Sequence, residues 1–500
     1  MANLQSHIIW TGDAIADALA DVLAAPLGAE LQQNLAVRGV SIDTRSLKNG
    51  DLFIALPGEQ ADGHDYVAAA LQAGAAAALV EHGRDIKNLS ASDNLIVVRD
   101  VMSALEVLAL AARARSTAYI IAVTGSVGKT SVKESLRHAL EKSGAVHASE
   151  KSYNNHIGVP LSLARMPENC QYAVFEIGMN HAGEIDALVK MVQPHCAIIT
   201  EIGTAHIEHF DTMEDLARAK AEIFSGVIAG GAAILPAASP YLDLLKAQAA
   251  ACQIDNIVTF GSADSADSAD SVNAGVQALA EKVKLHPSCS CVSAKILADQ
   301  VTYKVGMSGA HHVQNSLAVL AGVSLAGADL ALAALSLADH DGLVGRGERH
   351  YLHAEDGQYV LVDESYNANP TSMAAALTTL GLAPRNGRGR RIAVLGDMAE
   401  LGDQAVDMHI QLADIIAEAE IDQVLTYGPL SHHLHEHLPA DCMAYHANSL
   451  ADMTHHLLRD MRAGDVVMVK GSNASGMGAV VDALVQADES AAAQSAQERG

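Results

Sequence analysis

The chain has 500 residues, too many for one hydrophobic core, and at about 150 residues per domain it suggests three domains. Its 32 basic residues face 59 acidic ones, a net charge of −27, which argues against a nucleic-acid or membrane-surface protein. Six cysteines without a C-x-x-C pair argue against a zinc knuckle or a disulfide framework and leave reduced thiols as the expectation.

Residues 1–115 are read as a small α/β unit. Met1 to Trp10 shows neither a basic segment nor a long apolar one, and the longest apolar run, Ala68 to Val80, is broken by Gln72 and Gly74 and is too short to span a bilayer. A cytoplasmic monomer without membrane insertion and without nucleic acid as a partner is expected. An Ala/Leu helix carries Ile15, Leu19 and Leu23 on one face. Gly50 to Leu56 reads as a strand opened by a Gly-Asp turn, Asp62-Gly63-His64-Asp65 as a polar turn, and Ala75 to Val80 as a further strand. Asp43-Thr44-Arg45-Ser46 follows an apolar stretch, and the Asp–Arg pair fits a structural ion pair as well as a ligand contact.

Residues 116–340 continue the alternation of strand and helix, which predicts a parallel sheet. Ile120 to Thr124 is a β-branched strand running into Gly125-Ser126-Val127-Gly128-Lys129-Thr130-Ser131 and then a helix whose Val132, Leu136, Ala139 and Leu140 share a face. A strand, a glycine turn, Lys-Thr and a helix N-terminus form a phosphate-binding loop: the glycines let successive amides converge on one anion, and the lysine reaches the β/γ-phosphates. The spacing is short, because only two residues separate Gly125 from Gly128. ATP is the expected ligand. Strands ending at Glu176 and Thr200 bring Glu176 and His206 to the same sheet edge, where Thr130, Glu176 and His206 would make a Mg²⁺ site. Taken alone, His206 is more often a hydrogen-bonded core residue, and oxygen is the more natural ligand for Mg²⁺. A helix from Met213 to Ile228 carries Lys220, by pattern alone a solvated lysine; the Ser-Ala-Asp repeat from Ser262 to Ser271 reads as a flexible surface insertion. His311 to Asn315 open a long Ala/Leu helix through the 320s.

Residues 341–500 form the third predicted α/β unit. Tyr359 to Asp363, Arg391 to Gly396 and Val466 to Val469 are strands, the last ending at Lys470. His432, His433, His435 and His437 fit no single helix face and read as a solvated loop rather than a soft-metal site. The Ala/Gln/Glu tail after about Gln486 reads as disordered.

Taken together, these stretches resemble the Mur ligases, the ATP-dependent amide-forming enzymes of peptidoglycan precursor synthesis. The resemblance rests on Thr124 to Thr130, Tyr153-Asn154-Asn155 with Gly158-Val159-Pro160, and Glu176 to Asn180 with Gly183-Glu184-Ile185. It continues through Gly203-x-Ala205-His206-x-Glu208, Ala219-Lys220-x-Glu222-Ile223-Phe224, His311 to Asn315, Gly345-Arg346 and Asp363, in the family's order. Ser365 to Pro370, Gly396 to Gly402 and Asp43 to His64 are similar to the members that join D-alanyl-D-alanine to UDP-N-acetylmuramoyl-tripeptide. His312, Glu364 and the Leu235-Pro236-Ala237-Ala238 turn depart from the family's usual residues.

The resemblance implies three α/β domains, with a UDP-sugar domain at 1–115, a central ATP domain with a P-loop-type sheet at 116–340 and a Rossmann-like ligase domain at 341–500. It implies that ATP phosphorylates the tripeptide carboxylate, that the dipeptide amine displaces phosphate, and that Lys220 is carbamylated to serve as an oxygen ligand for a second Mg²⁺. Lys129, Lys220, His206 and Glu176 would be catalytic, and Asn315, Arg346 and Asp363 would hold the nucleotide with the loop residues Gly125 to Ser131. Asp43, Thr44, Arg45, Ser46, His64, Asn154, Asn155 and Asn367 would contact the other substrates. Two alternatives are a folylpolyglutamate-synthase-like ligase, which lacks the Asp43 to His64 unit, and a nucleotide-gated binding protein that forms no amide.

Overall fold

The computed structural model describes residues 8–58, 61–86, 89, 94–150, 152–205, 207–263, 275–339, 342–385 and 387–497. His206 and most of the Ser-Ala-Asp repeat, from 264 on, lie outside the described residues.

Three larger sheets carry the architecture among the described residues. The first is a parallel four-stranded sheet of Gly39–Ser41, Asp51–Ile54, Ala77–Glu81 and Leu95–Val98. The second has nine strands, with Tyr119–Thr124 between Cys196–Ile199 and Tyr172–Glu176 in its parallel part. Its far edge is the antiparallel hairpin pair Ala278–Leu285, Ser290–Ile296 and Asp299–Val305. The third has six strands, parallel apart from the edge strand Glu348–Ala354, which runs antiparallel to Gly357–Glu364. This is an α/β protein of parallel sheets.

The central strand shows why continuous apolar runs build such sheets. Ile121 and Val123 face one side, packing with Val132, Leu136 and Leu317, while Ile120 and Ala122 face the other, packing with Val159, Leu188 and Val189. Both faces are covered by helices, so every residue of the strand must be apolar rather than alternate ones. At about 1.5–3 kcal/mol for each fully buried aliphatic side chain, these two layers fix the strand whose end carries the glycine loop.

Four expectations are corrected. The first helix spans Gly12–Leu19 and stops short of Leu23, which bridges to Val98. The helix bearing Lys220 ends at Ala221 and tightens into a 3₁₀ turn, Glu222–Gly226. The tail is helical, Gly478–Gln497, because Val480, Val481 and Leu484 anchor its start in the core and its alanines favour continuation. The histidine cluster is not a loop: Pro429–Glu436 is a helix that carries His432, His433 and His435, with His437 at its C-cap. Proline at the first turn and the buried Leu434 favour that helix over the extended spacing read from the histidines.

Candidate active site

The loop after Tyr119–Thr124 is shaped by two glycines with positive φ, Gly125 at 146° and Gly128 at 88°. A Cβ on Gly125 would lie 2.1 Å from Thr200 Oγ1, so the neighbouring strand end also excludes a side chain there. Thr200 Oγ1 donates to the carbonyl of Val127 and Ser126 N donates to Glu201 O at 2.7 Å, pinning the loop to the next strand. Beyond Ser126, no backbone carbonyl among the described residues accepts from the amides of Val127, Gly128, Lys129, Thr130 or Ser131. These donors at the start of the Lys129–Leu140 helix form an anion cradle. Ser126 contributes shape rather than donors, since its hydroxyl bonds Gly203 O at 2.8 Å.

Lys129 Nζ donates to Gly125 O at 2.7 Å. Burial lowers its pKa and the Arg346 charge adds to that, while Glu176 and Glu400 oppose it. Thr130 Oγ1 donates to Glu176 Oε2 at 2.8 Å, and Asn154 Nδ2 donates to Oε1 at 2.8 Å, so the buried carboxylate at the adjacent strand end is held from both sides. Ser152 Oγ lies 3.4 Å from Thr130 Oγ1 and receives a hydrogen bond of 2.7 Å from the Tyr366 hydroxyl. Arg346 stacks over that tyrosine ring at 4.1 Å. One chain of contacts therefore runs from the third sheet into the glycine loop. Gly203 against Thr371 and Gly402 against Glu208 add further close approaches along the same seam.

Lys220 is buried, and its amine has no hydrogen-bond or ion-pair partner among the described residues. Burial drives its pKa well below the ordinary lysine value, and the Lys129 charge pushes it further down. The solvated-lysine reading is therefore wrong: the helix turns this residue inward beside the loop rather than out to water.

The remaining predicted residues divide. Asn315 packs on the loop, with Oδ1 2.9 Å from where a Gly128 Cβ would sit. Asp363 accepts from Gly345 N at 2.8 Å and Ser365 N at 3.0 Å, which sets the turns that present Arg346 and Tyr366. Glu348 and His350 bring ligand atoms within 4.8 Å of the same carboxylate. Asn367 Oδ1 accepts from Ala368 N, and its carbonyl accepts from the buried Lys470 at 3.0 Å. Asn155 Oδ1 accepts from Ile157 N at 3.2 Å and Gly158 N at 2.9 Å, holding the turn that leads into the Gly158–Ala164 helix.

Farther off, Arg45 binds Asp43 with Nη2 to Oδ2 at 2.7 Å, and its side chain is 89% exposed. Thr44 and Ser46 share that exposed turn, in which Ser46 N bonds Asp43 O. His64 is buried: Nδ1 donates to Asp62 and Nε2 accepts from Glu81 N, so both ring nitrogens serve the first sheet. Ser152, Tyr366, Thr200 and Glu400 went unassigned in the sequence, because only the docking of separate chain segments brings them to the loop.

A cavity of about 600 Å³ opens beside this seam, lined by Met307, His311, His312, Gly347 and Glu364 and floored by Val362 and Met468 of the third sheet.

Three family models match the chain: the Mur ligase family catalytic domain over residues 36–115, the Mur ligase middle domain over 123–323 and the Mur ligase glutamate ligase domain over 345–473. The UDP-N-acetylmuramoyl-tripeptide–D-alanyl-D-alanine ligase of Rickettsia prowazekii is 31% identical, covering 91% of this chain and 96% of its own. The enzyme of that name from Escherichia coli is 34% identical over 91% of this chain and 95% of its own. Among solved structures, MurF from Acinetobacter baumannii aligns with a TM-score of 0.79 at 28% identity, covering 95% of this chain and 99% of that one. MurF ligase from Thermotoga maritima in complex with ADP shares the fold, with a TM-score of 0.72 at 23% identity over 92% and 99% of the two chains.

Proposed function

This chain belongs to the Mur ligase family, and from that premise we propose that it joins D-alanyl-D-alanine to UDP-N-acetylmuramoyl-tripeptide at the expense of ATP, a step of peptidoglycan precursor synthesis. The single observation that carries this reading is the alignment of relatives of that activity across about nine-tenths of the chain, which takes in the glycine loop and Lys220. The three blocks of family match and the three sheets support a division into units at 1–115, 116–340 and 341–500.

In the proposed mechanism the tripeptide carboxylate attacks the γ-phosphorus of ATP, ADP leaves, and the resulting acyl phosphate is attacked by the dipeptide amine, which loses a proton as the amide forms and phosphate departs. Every partner until the last step is an anion, so catalysis is alignment and charge neutralisation. Lys129 and the free amides from Val127 to Ser131 hold the phosphates, and Arg346 adds its charge from the third sheet. The cavity lined by His311, His312 and Glu364 is large enough for a purine base, and Asn315, packed on the glycine loop, and Asp363, in the turn that presents Arg346, are proposed to hold the nucleotide with it. Asp43, Arg45 and their turn are proposed for the UDP end, with His64 supporting the same sheet; Asn154, Asn155 and Asn367, in loops nearer the glycine loop and the third sheet, are proposed as contacts for the other substrate parts.

The oxygen donors gathered beside the glycine loop, Thr130, Ser152 and Glu176, fit a hard divalent cation, and His206 is proposed with them from the resemblance. When bound, Mg²⁺ supplies neutralisation of phosphate charge. An uncharged amine suits Lys220 for carbamylation: Nζ forms a bond to the carbon of CO₂, its proton leaves, and two oxygens end up beside the Lys129 cation. ATP as phosphoryl donor supports a cytoplasmic place of action, and among the described residues no helix is long and apolar enough to cross a membrane.

The test is phosphate release by the purified protein. It should require ATP, UDP-N-acetylmuramoyl-tripeptide and D-alanyl-D-alanine together, and release that proceeds equally without the dipeptide would sink the ligase assignment.

A further inference from the structure

The helix Pro429–Glu436 presents His432 and His435, three residues apart and so on one face. Across from them, Met443–Ala447 runs parallel to Gln423–Tyr427 with His446 in register with Thr426. The ring centroids of His432 and His446 are 4.7 Å apart, those of His435 and His446 5.7 Å, and those of His432 and His435 6.1 Å. Three imidazoles on one tetrahedral ion, with metal–nitrogen bonds of about 2.1 Å, hold their centroids about 5 Å apart.

We propose that His432, His435 and His446 bind a divalent transition-metal ion of the Zn²⁺ class. Thr426 Oγ1 bonds His446 Nδ1 at 2.9 Å, which fixes that ring and leaves Nε2 as its open nitrogen, as an orienting partner does in imidazole metal sites. His435 Nδ1 is buried without a hydrogen-bond partner among the described residues, an unsatisfied atom that an ion would satisfy. The triangle is open as it stands, since the ring nitrogens of the three do not all lie within 4.8 Å of one another, and the exposed His432 is the member with room to rotate inward and close it on an ion. An all-imidazole set selects Zn²⁺, Ni²⁺ or Cu²⁺ over Mg²⁺, so this site is separate in chemistry from the oxygen-lined one at the glycine loop. His446 also lines a cavity of about 590 Å³ with Asp397, Tyr427 and Ser472, and a bound ion would tie the helix to the strand at its mouth.

The experiment uses the untagged, full-length protein after chelator treatment, titrated with Co²⁺ and then Zn²⁺ in excess Mg²⁺. One Co²⁺ should bind with the strong visible bands of tetrahedral coordination, Zn²⁺ should displace it, and Tm should rise with Zn²⁺. His432→Ala, at an exposed position, and His446→Ala should each weaken Zn²⁺ binding about tenfold or more, and Thr426→Val should weaken it roughly tenfold. Lys129→Ala should bind Zn²⁺ as the parent does. Unchanged affinity and Tm shift in the His432→Ala variant, or a Co²⁺ complex with only weak octahedral bands, would overturn the proposal.

Discussion

Two helices that flank the phosphate loop each bury a lysine, and the two sites differ in one respect. Lys133, on the helix that leaves the loop, is fully buried yet donates to Ser149 O at 2.7 Å and pairs with Glu134 at 2.7 Å. Lys220, on Met213–Ala221, is equally buried and has neither kind of partner among the described residues. A buried cation with its donors satisfied is a structural fastening. One without partners is pushed by burial toward its uncharged form, and that desolvation weighs against the fold.

The sharpest way to break this contrast is to remove each charge in turn. Lys220→Met should lower ligation by roughly a hundredfold or more, as expected for loss of a ligand that aligns charge, while Tm in CO₂-depleted, Mg²⁺-free buffer rises. Lys220→Ala should regain part of its turnover with formate or acetate but not with chloride at equal ionic strength. A Lys220 variant as active as the parent would end the carbamate reading.

The pH dependence carries the same sign. A lysine whose folded pKa is depressed binds fewer protons folded than unfolded, so its contribution to stability improves as pH rises from that depressed value toward the ordinary 10.5. Chemical denaturation of parent and Lys220→Met should therefore converge between neutral pH and about pH 10; a constant gap would contradict the assignment.

Lys133→Met should do the reverse of Lys220→Met. Stability should fall by about 1–3 kcal/mol, because Glu134 and the Ser149 carbonyl lose their buried donor, while turnover of the folded protein stays within about twofold. Between these extremes stands Tyr366→Phe, which removes one hydrogen bond across the seam to Ser152. The KM for ATP should rise about 2–10-fold with Tm unchanged, and an unaltered KM would mean that the seam does not follow the nucleotide. The smallest expected stability effect is at Arg45→Ala, since an exposed pair with Asp43 adds little. Its Tm should match the parent's, so any rise in KM for the UDP substrate would report binding alone.

The same contrast explains what could be read from the amino-acid order. The loop from Gly125 to Ser131 was legible because strand, glycines, lysine and helix are contiguous, and local geometry there is decided by neighbours in sequence. Lys220 was not: its helix pattern alone reads as solvated, and only family resemblance drew attention to it, since inward rotation is set by packing of Leu216, Ala217 and Ala221 against a distant sheet. Ser152 and Tyr366 meet across 214 residues of chain, a pairing that no periodicity encodes. The histidines from 432 to 437 misled because their own spacing was weighed without Pro429 and Leu434, and their partner His446 arrives on a strand paired through Thr426.

Thr200 bears on how this loop can change over generations. Its hydroxyl sits where a side chain on Gly125 would have to go, while φ at Gly125 is 146°, a value that L residues rarely adopt. Shrinking Thr200 to alanine would open the space, yet the backbone barrier would remain and the bond to Val127 would be lost. A side chain at Gly125 first meets the hydroxyl, Thr200→Ala first loses the bond to Val127, and making both changes together still leaves the backbone obstacle. Each single step out of the pair therefore carries a cost of its own, so a lineage that explores new acyl acceptors should vary the outlying turns and the third sheet more readily than the position at Gly125.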